Sequence, residues 1–136
     1  MRTLALLLML AAGLAQADVT GRWKTIDDET GLPKSIVELS ERDGKLFGRV
    51  TELLSRAPDT RCDKCKGERR GQPIVGMEII SGLERDGDAW SGGKILDPAN
   101  GKEYRARLWL DDAQHLKVRG YLGVFYRTQV WERADD

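Results

Sequence analysis

The residues here that could do chemistry are two cysteines, one histidine and a few clustered acids and arginines. Cys62 and Cys65 stand as Cys-x-x-Cys inside a polar stretch over 55–73. Three chemistries fit that spacing. Oxidised, the pair is a short structural disulfide of the kind an oxidising compartment favours, and closing so small a loop contributes only about 2 kcal/mol in the chain-entropy model. Reduced, it is a redox site if a thiolate is stabilised. Arg61, Lys64 and Lys66 would lower a thiol pKa, but the strand-to-helix setting of a thioredoxin-like motif is missing. A zinc knuckle needs four ligands, and the chain offers one histidine, His115, and no second cysteine pair.

His115 follows the Asp111-Asp112 turn at the start of a strand pattern. A Ser-His-Asp site would have to use it, yet no Gly-x-Ser-x-Gly accompanies it, and an exposed turn histidine is the simpler reading. No phosphate-cradling loop, no dinucleotide fingerprint after a strand and no His-Glu-x-x-His occurs. Asp27-Asp28-Glu29 could touch a cation, but three consecutive acids on an extended chain cannot all face one ion. A solvated turn is the alternative, with Asp27 kept as a candidate. The chain is therefore read as a non-enzyme, with no metal and no cofactor.

Charge narrows the partners further. Lys+Arg and Asp+Glu both number 22, a formal net charge of zero. A protein that works by neutralising phosphates carries an excess of cations, so nucleic acid is not the expected partner. The 55–73 stretch is the exception, holding Arg56, Arg61, Lys64, Lys66, Arg69 and Arg70. At the other extreme, residues 1–17 contain one charge, Arg2, then an apolar run over Leu4–Leu14 and a small-x-small Ala15-Gln16-Ala17. That is the pattern of a cleaved export signal; a spanning helix needs about 20 apolar residues. The expectation is a signal peptide over 1–17, a single domain over 18–136, and a periplasmic or secreted protein with no transmembrane segment.

The elements that must position these residues are strands. Asp43-Gly44, Asp86-Gly87 and Asn100-Gly101 each separate β-type runs, and such dipeptides suit the positive φ angles of hairpin turns. No long window keeps a helical period. Cutting at the turns predicts eight strands, over 19–27, 34–41, 45–54, 74–81, 88–96, 102–110, 115–122 and 125–133. Alternation supports several of them. Tyr104, Ala106, Leu108 and Leu110 share one face, and Leu116, Val118 and Gly120 oppose His115, Lys117 and Arg119. All connections but one are hairpin length. Such a meander predicts an all-β fold, an eight-stranded antiparallel up-and-down barrel, whose closure removes both sheet edges. A two-sheet sandwich, the rival, needs longer connections. The one long connection, 55–73, would lie across an end of the barrel.

Barrel closure would bring Gly21-Arg22-Trp23 beside Trp131-Glu132-Arg133, with an arginine free to stack on an indole. An early Gly-x-Trp with a late Arg is similar to the closed end of a lipocalin. A longer ordered pattern is more specific. Gly21-x-Trp23-Lys24-Thr25-Ile26-Asp27-Asp28 is followed by Asp43-Gly44-Lys45-Leu46-x-Gly48, Cys62-x-x-Cys65-Lys66-Gly67 and Pro73-Ile74-Val75-Gly76. After these come Gly92-Gly93-Lys94-Ile95-Leu96-Asp97-Pro98-x-Asn100-Gly101-Lys102-x-Tyr104, Leu116-Lys117-Val118-Arg119-Gly120-Tyr121 and Arg127-Thr128-Gln129-x-Trp131-x-Arg133. This resembles the exported bacterial family defined as domain of unknown function 2147 (DUF2147), over essentially all of 18–136. The resemblance implies a lipocalin-like (calycin) barrel and no established reaction.

A ligand site is sought where the pattern is costly for a plain barrel. Asp97, before Pro98 and Asn100-Gly101, is either part of a turn or a polar anchor at the rim. Arg119 precedes Gly120, where a glycine permits close approach; inside a barrel it would need a carboxylate, Asp27 or Asp97, or an anionic ligand. Phe47, Trp90, Tyr104 and Tyr126 could line a cavity or simply fill it. The resulting expectation is a lipocalin-type binder of a small, partly apolar ligand, with an anionic group as one option. The alternative is an envelope structural or interaction module with a solid barrel core. Oligomeric state is not readable from the sequence.

Overall fold

The computed structural model describes residues 18–134, and the leader expected over 1–17 lies outside them. Alternating side chains and tight turns produce eight antiparallel strands: β1 (Gly21–Ile26), β2 (Pro33–Arg42), β3 (Lys45–Leu53), β4 (Glu78–Asp86), β5 (Ala89–Asp97), β6 (Lys102–Asp112), β7 (His115–Leu122) and β8 (Phe125–Arg133). They close in chain order into a barrel. Asp43 and Gly44, at φ 52° and 76°, make the two-residue turn between β2 and β3, as a type I′ hairpin requires. Among the described residues no helix is long and apolar enough to cross a membrane.

Closure pairs Trp23 with Arg133 and Lys24 with Glu132. Arg133 lies over the Trp23 ring at 4.0 Å and donates to the carbonyls of Thr20 and Asp18, both at 2.8 Å, and of Ala113 at 3.2 Å. Trp23 Nε1 donates to Val19 O at 2.8 Å. A side chain at Gly21 would place its Cβ 3.2 Å from Arg133 Nη1, so the glycine leaves room for the guanidinium. Trp23, Trp131, Leu39, Leu46, Leu83, Leu108 and Leu116 pack fully buried towards this closed end.

The opposite end is the mouth, formed by the β1–β2, β3–β4, β5–β6 and β7–β8 connections. Here the fourth strand departs from the expected 74–81. The apolar pair Ile74-Val75 reads as strand, but Met77 N donates to Ile74 O at 3.0 Å and Gly76 takes φ 92°, so 74–77 is a turn. Ile74 is buried from that turn, and β4 starts at Glu78. One 3-10 turn, Gly67–Arg69, interrupts the long connection.

Candidate functional site

A cavity of about 210 Å³ occupies the mouth half of the barrel. Val50, Leu53, Ile79, Ile95, Val118 and Trp131 give it an apolar floor. One wall is polar. Thr25 Oγ1 and Ser35 Oγ hydrogen-bond at 2.7 Å, and Trp131 Nε1 donates to Gln129 Oε1 at 3.1 Å. Opposite, Asn100 Nδ2 donates to the Tyr104 hydroxyl at 3.0 Å. Lys34, Arg56 and Arg127 bring three cations to the lining, against one carboxylate, Asp97. Arg127 is held across the β1–β8 seam by Asp28, with Glu29 at 3.5 Å, and the Asp28 hydrogen bond raises its pKa.

The 55–73 connection covers the β5–β6 side of the mouth. Cys62 and Cys65 are joined by a disulfide with Cα atoms 5.4 Å apart, and both are buried. The segment doubles back on itself: Cys62 N donates to Gln72 O at 2.8 Å, Gly71 N to Cys62 O at 2.9 Å and Ile74 N to Thr60 O at 3.1 Å. It rests on the β5–β6 turn, with Cys62 Sγ 3.7 Å from Pro98 O. A Cβ at Gly101 would lie 1.8 Å from Lys64 O. Arg69 ties the segment to Glu103 of β6 at 3.2 Å.

Of the residues expected to face a ligand, Asp97 and Tyr104 line the cavity. Asp97 also holds its turn, accepting from Ala99 N at 2.9 Å. Trp90 points inward but packs in the filled, closed half, away from the cavity lining. Asp27 caps its own turn, accepting from Glu29 N at 2.8 Å and Thr30 N at 3.1 Å; these bonds lower its pKa. Three assignments are corrected. Arg119 is not inside the barrel. Val118 and Gly120 line the cavity, so strand alternation turns Arg119 outward. There it donates to Thr128 Oγ1 at 2.8 Å and lies over the rings of Tyr126 at 4.2 Å and Trp109 at 5.0 Å. Tyr126 likewise alternates with inward Arg127 and is exposed. Phe47 stands between inward Leu46 and Gly48, on the outer face under Arg42 at 3.9 Å.

Lys34, Arg56, Arg127, Gln129, Thr25 and Ser35 are among the lining residues not anticipated. A signal for two of them was present: counting back by twos from buried Trp131 reaches Gln129 and Arg127.

Comparison with curated proteins returns no match. Among solved structures, one described as "Protein HP1028 from the human pathogen Helicobacter pylori belongs to the lipocalin family" superposes with a TM-score of 0.77 at 20% identity. The match covers 88% of this chain and 85% of that one. It shows a shared lipocalin-like barrel. The profile of DUF2147, described as "Uncharacterized protein conserved in bacteria", matches residues 21–133. That span runs from the Gly-x-Trp of β1 to the arginine that stacks on it, and the chain belongs to the DUF2147 family.

Proposed function

We propose that this is an exported, non-enzymatic carrier that binds a small amphipathic anion in the mouth half of its barrel. The observation that carries the reading is the cavity itself, an apolar floor beneath a rim bearing Lys34 and Arg56, with Arg127 beside them paired to Asp28. Size sets the ligand class. A cavity of about 150 Å³ accepts benzene, whereas drug-sized ligands occupy roughly 300–1,000 Å³. At about 210 Å³, the site suits a single ring or a short acyl chain, with its carboxylate or phosphate at the rim. Export is supported by the leader pattern over 1–17 and fits a buried disulfide.

Hexanoate and hexanol share a chain and differ in charge, so calorimetric titration with both tests the reading. Hexanoate is expected to bind more tightly, and Lys34→Gln with Arg56→Gln to bring its affinity down to that of hexanol. Val118→Trp, which fills the floor, should abolish both. Binding that is absent, or indifferent to Val118→Trp, refutes the proposal.

A further inference from the structure

The large exposed apolar side chains are concentrated at one end of the molecule. They are Leu32, Leu54, Leu122, Val124, Phe125, Tyr126 and Val130, and all but Val130 stand at the mouth. Leu32 ends the β1–β2 connection and Leu54 begins the β3–β4 connection. The other four form the tip of the β7–β8 hairpin, where Val124 is 89% and Phe125 77% exposed. Scattered surface hydrophobes need no explanation, but a contiguous set marks an interaction site.

The hairpin is graded below its tip. Leu122 pairs with Phe125, then Tyr121 with Tyr126, then Arg119 with Thr128. At about 3.3 Å per residue, the tyrosines lie roughly 3 Å and the Arg119 row roughly 10 Å from Phe125. Arg105 lies over the Tyr121 ring at 5.9 Å, and Arg119 over Tyr126 at 4.2 Å. Among the described residues no carboxylate ion-pairs with Arg105, Lys117 or Arg119; Arg119 stands opposite Arg107, whose own charge is paired with Asp86 at 2.6 Å. Cations continue along the mouth, since 55–73 carries six against the three acids Asp59, Asp63 and Glu68. The acids of the β1–β2 turn are partly committed: Asp28 and Glu29 pair with Arg127.

Apolar tip, then tyrosine belt with Arg105 level with Tyr121, then Arg119, over about 10 Å, match acyl region, interface and phosphates of a bilayer surface. We propose that the barrel mouth docks on a membrane rich in anionic lipid, with the Leu122–Phe125 tip inserted and Arg105 and Arg119 on the phosphates. Docking of this kind turns the cavity opening towards the lipid, and it does not require the cavity to be loaded.

Flotation of the purified protein with vesicles tests it, using phosphatidylcholine alone and an equal mixture with phosphatidylglycerol. The protein is expected to float with the mixed vesicles, less so as salt rises. Phe125→Asp should lower that partitioning by at least roughly tenfold. Arg105→Gln with Arg119→Gln should lower it by about 30-fold, from about 1 kcal/mol per basic residue near the surface, and leave phosphatidylcholine binding unchanged. Val130→Asp places the same charge on an exposed apolar site about 17 Å further down the strand and should have no effect. Three outcomes overturn the proposal: no flotation at low salt, equal loss for Val130→Asp and Phe125→Asp, or a dimer that Phe125→Asp splits into monomers. The last would assign the tip to a second copy of the chain. Hexanoate titration of the same variants is expected to be unaltered, so failure here is separable from failure of the carrier reading.

Discussion

Gly31 and Gly101 share a backbone conformation, φ 72° in each, but not their surroundings. A Cβ at Gly31 would meet nothing within 4 Å, whereas at Gly101 it would lie 1.8 Å from Lys64 O, 2.3 Å from Lys64 C and 2.9 Å from Cys65 N. Alanine at either site incurs the left-handed backbone penalty, about 1–2 kcal/mol. At Gly101 the obstacle is main chain, which cannot swing aside as a side-chain tip can. To restore even a 3.0 Å separation, the disulfide segment must retreat by more than an ångström. Overpacking of that kind costs about 1–3 kcal/mol, so Gly101→Ala is expected to destabilise by about 2–5 kcal/mol and Gly31→Ala by about 1–2. Urea unfolding gives both values, and the difference isolates the seating of the segment on the β5–β6 turn. Limited proteolysis reports the location: Gly101→Ala should speed cleavage within 55–73 and Gly31→Ala should not. Equal destabilisation, or unchanged cleavage in Gly101→Ala, would refute the claim that the segment is clamped there.

Arg133→Ala removes three hydrogen bonds and the stack on Trp23, and urea unfolding should show a loss of about 2–4 kcal/mol. Cys62→Ser with Cys65→Ser should cost about 2 kcal/mol, and a thiol assay on the unsubstituted protein without reductant should find no free thiol. Asp27, Asp86 and Asp112 are held below the ordinary 3.8, by the Glu29 and Thr30 amides, by Arg107 and by His115 respectively. A carboxylate with a depressed folded pKa stabilises above its unfolded value and loses that contribution as pH falls through the folded one. The melting temperature should therefore drop most steeply below pH 3.8, and Asp86→Asn should make the drop shallower.

Strand number, order and closure were legible because the turn dipeptides and the period-2 alternation agree with each other. The inward sets Ala106, Leu108, Leu110 and Leu116, Val118, Gly120 follow from that alternation alone. The ligand residues were less legible, for two reasons. Arg119 was sought inside because an arginine beside a strand glycine suggests a buried charge. Its neighbours Val118 and Gly120 line the cavity, so parity had already placed it outside, where Trp109 and Tyr126 cover its faces. Lys34 and Arg56 lie at the edges of elements, where no periodicity reports direction. Only the fold of the β3–β4 connection, with Ile74 turned in from a loop, brings Arg56 to the lining.

An eight-stranded barrel has an interior just wide enough for side chains to fill, so a cavity exists only where individual residues fall short. Near the closed end, Trp23, Trp90 and Trp131 with Leu39, Leu46, Leu83, Leu108 and Leu116 leave no room; even a Cβ at Gly48 would lie 2.8 Å from Leu39. One layer towards the mouth the inward positions become Thr25, Ser35, Val50, Val118, Gly120 and Gln129. The step from tryptophan and leucine to hydroxyls, valines and glycine is what opens the space. It also explains why the hydrogen bonds sit where they do. Thr25 pairs with Ser35, and Trp131 with Gln129, so these polar groups of the cavity wall have partners within the protein. Such paired groups do not demand a ligand, so on the carrier reading proposed above specificity would fall to the charged rim, where Lys34 and Arg56 line the cavity and Arg127 is already paired with Asp28.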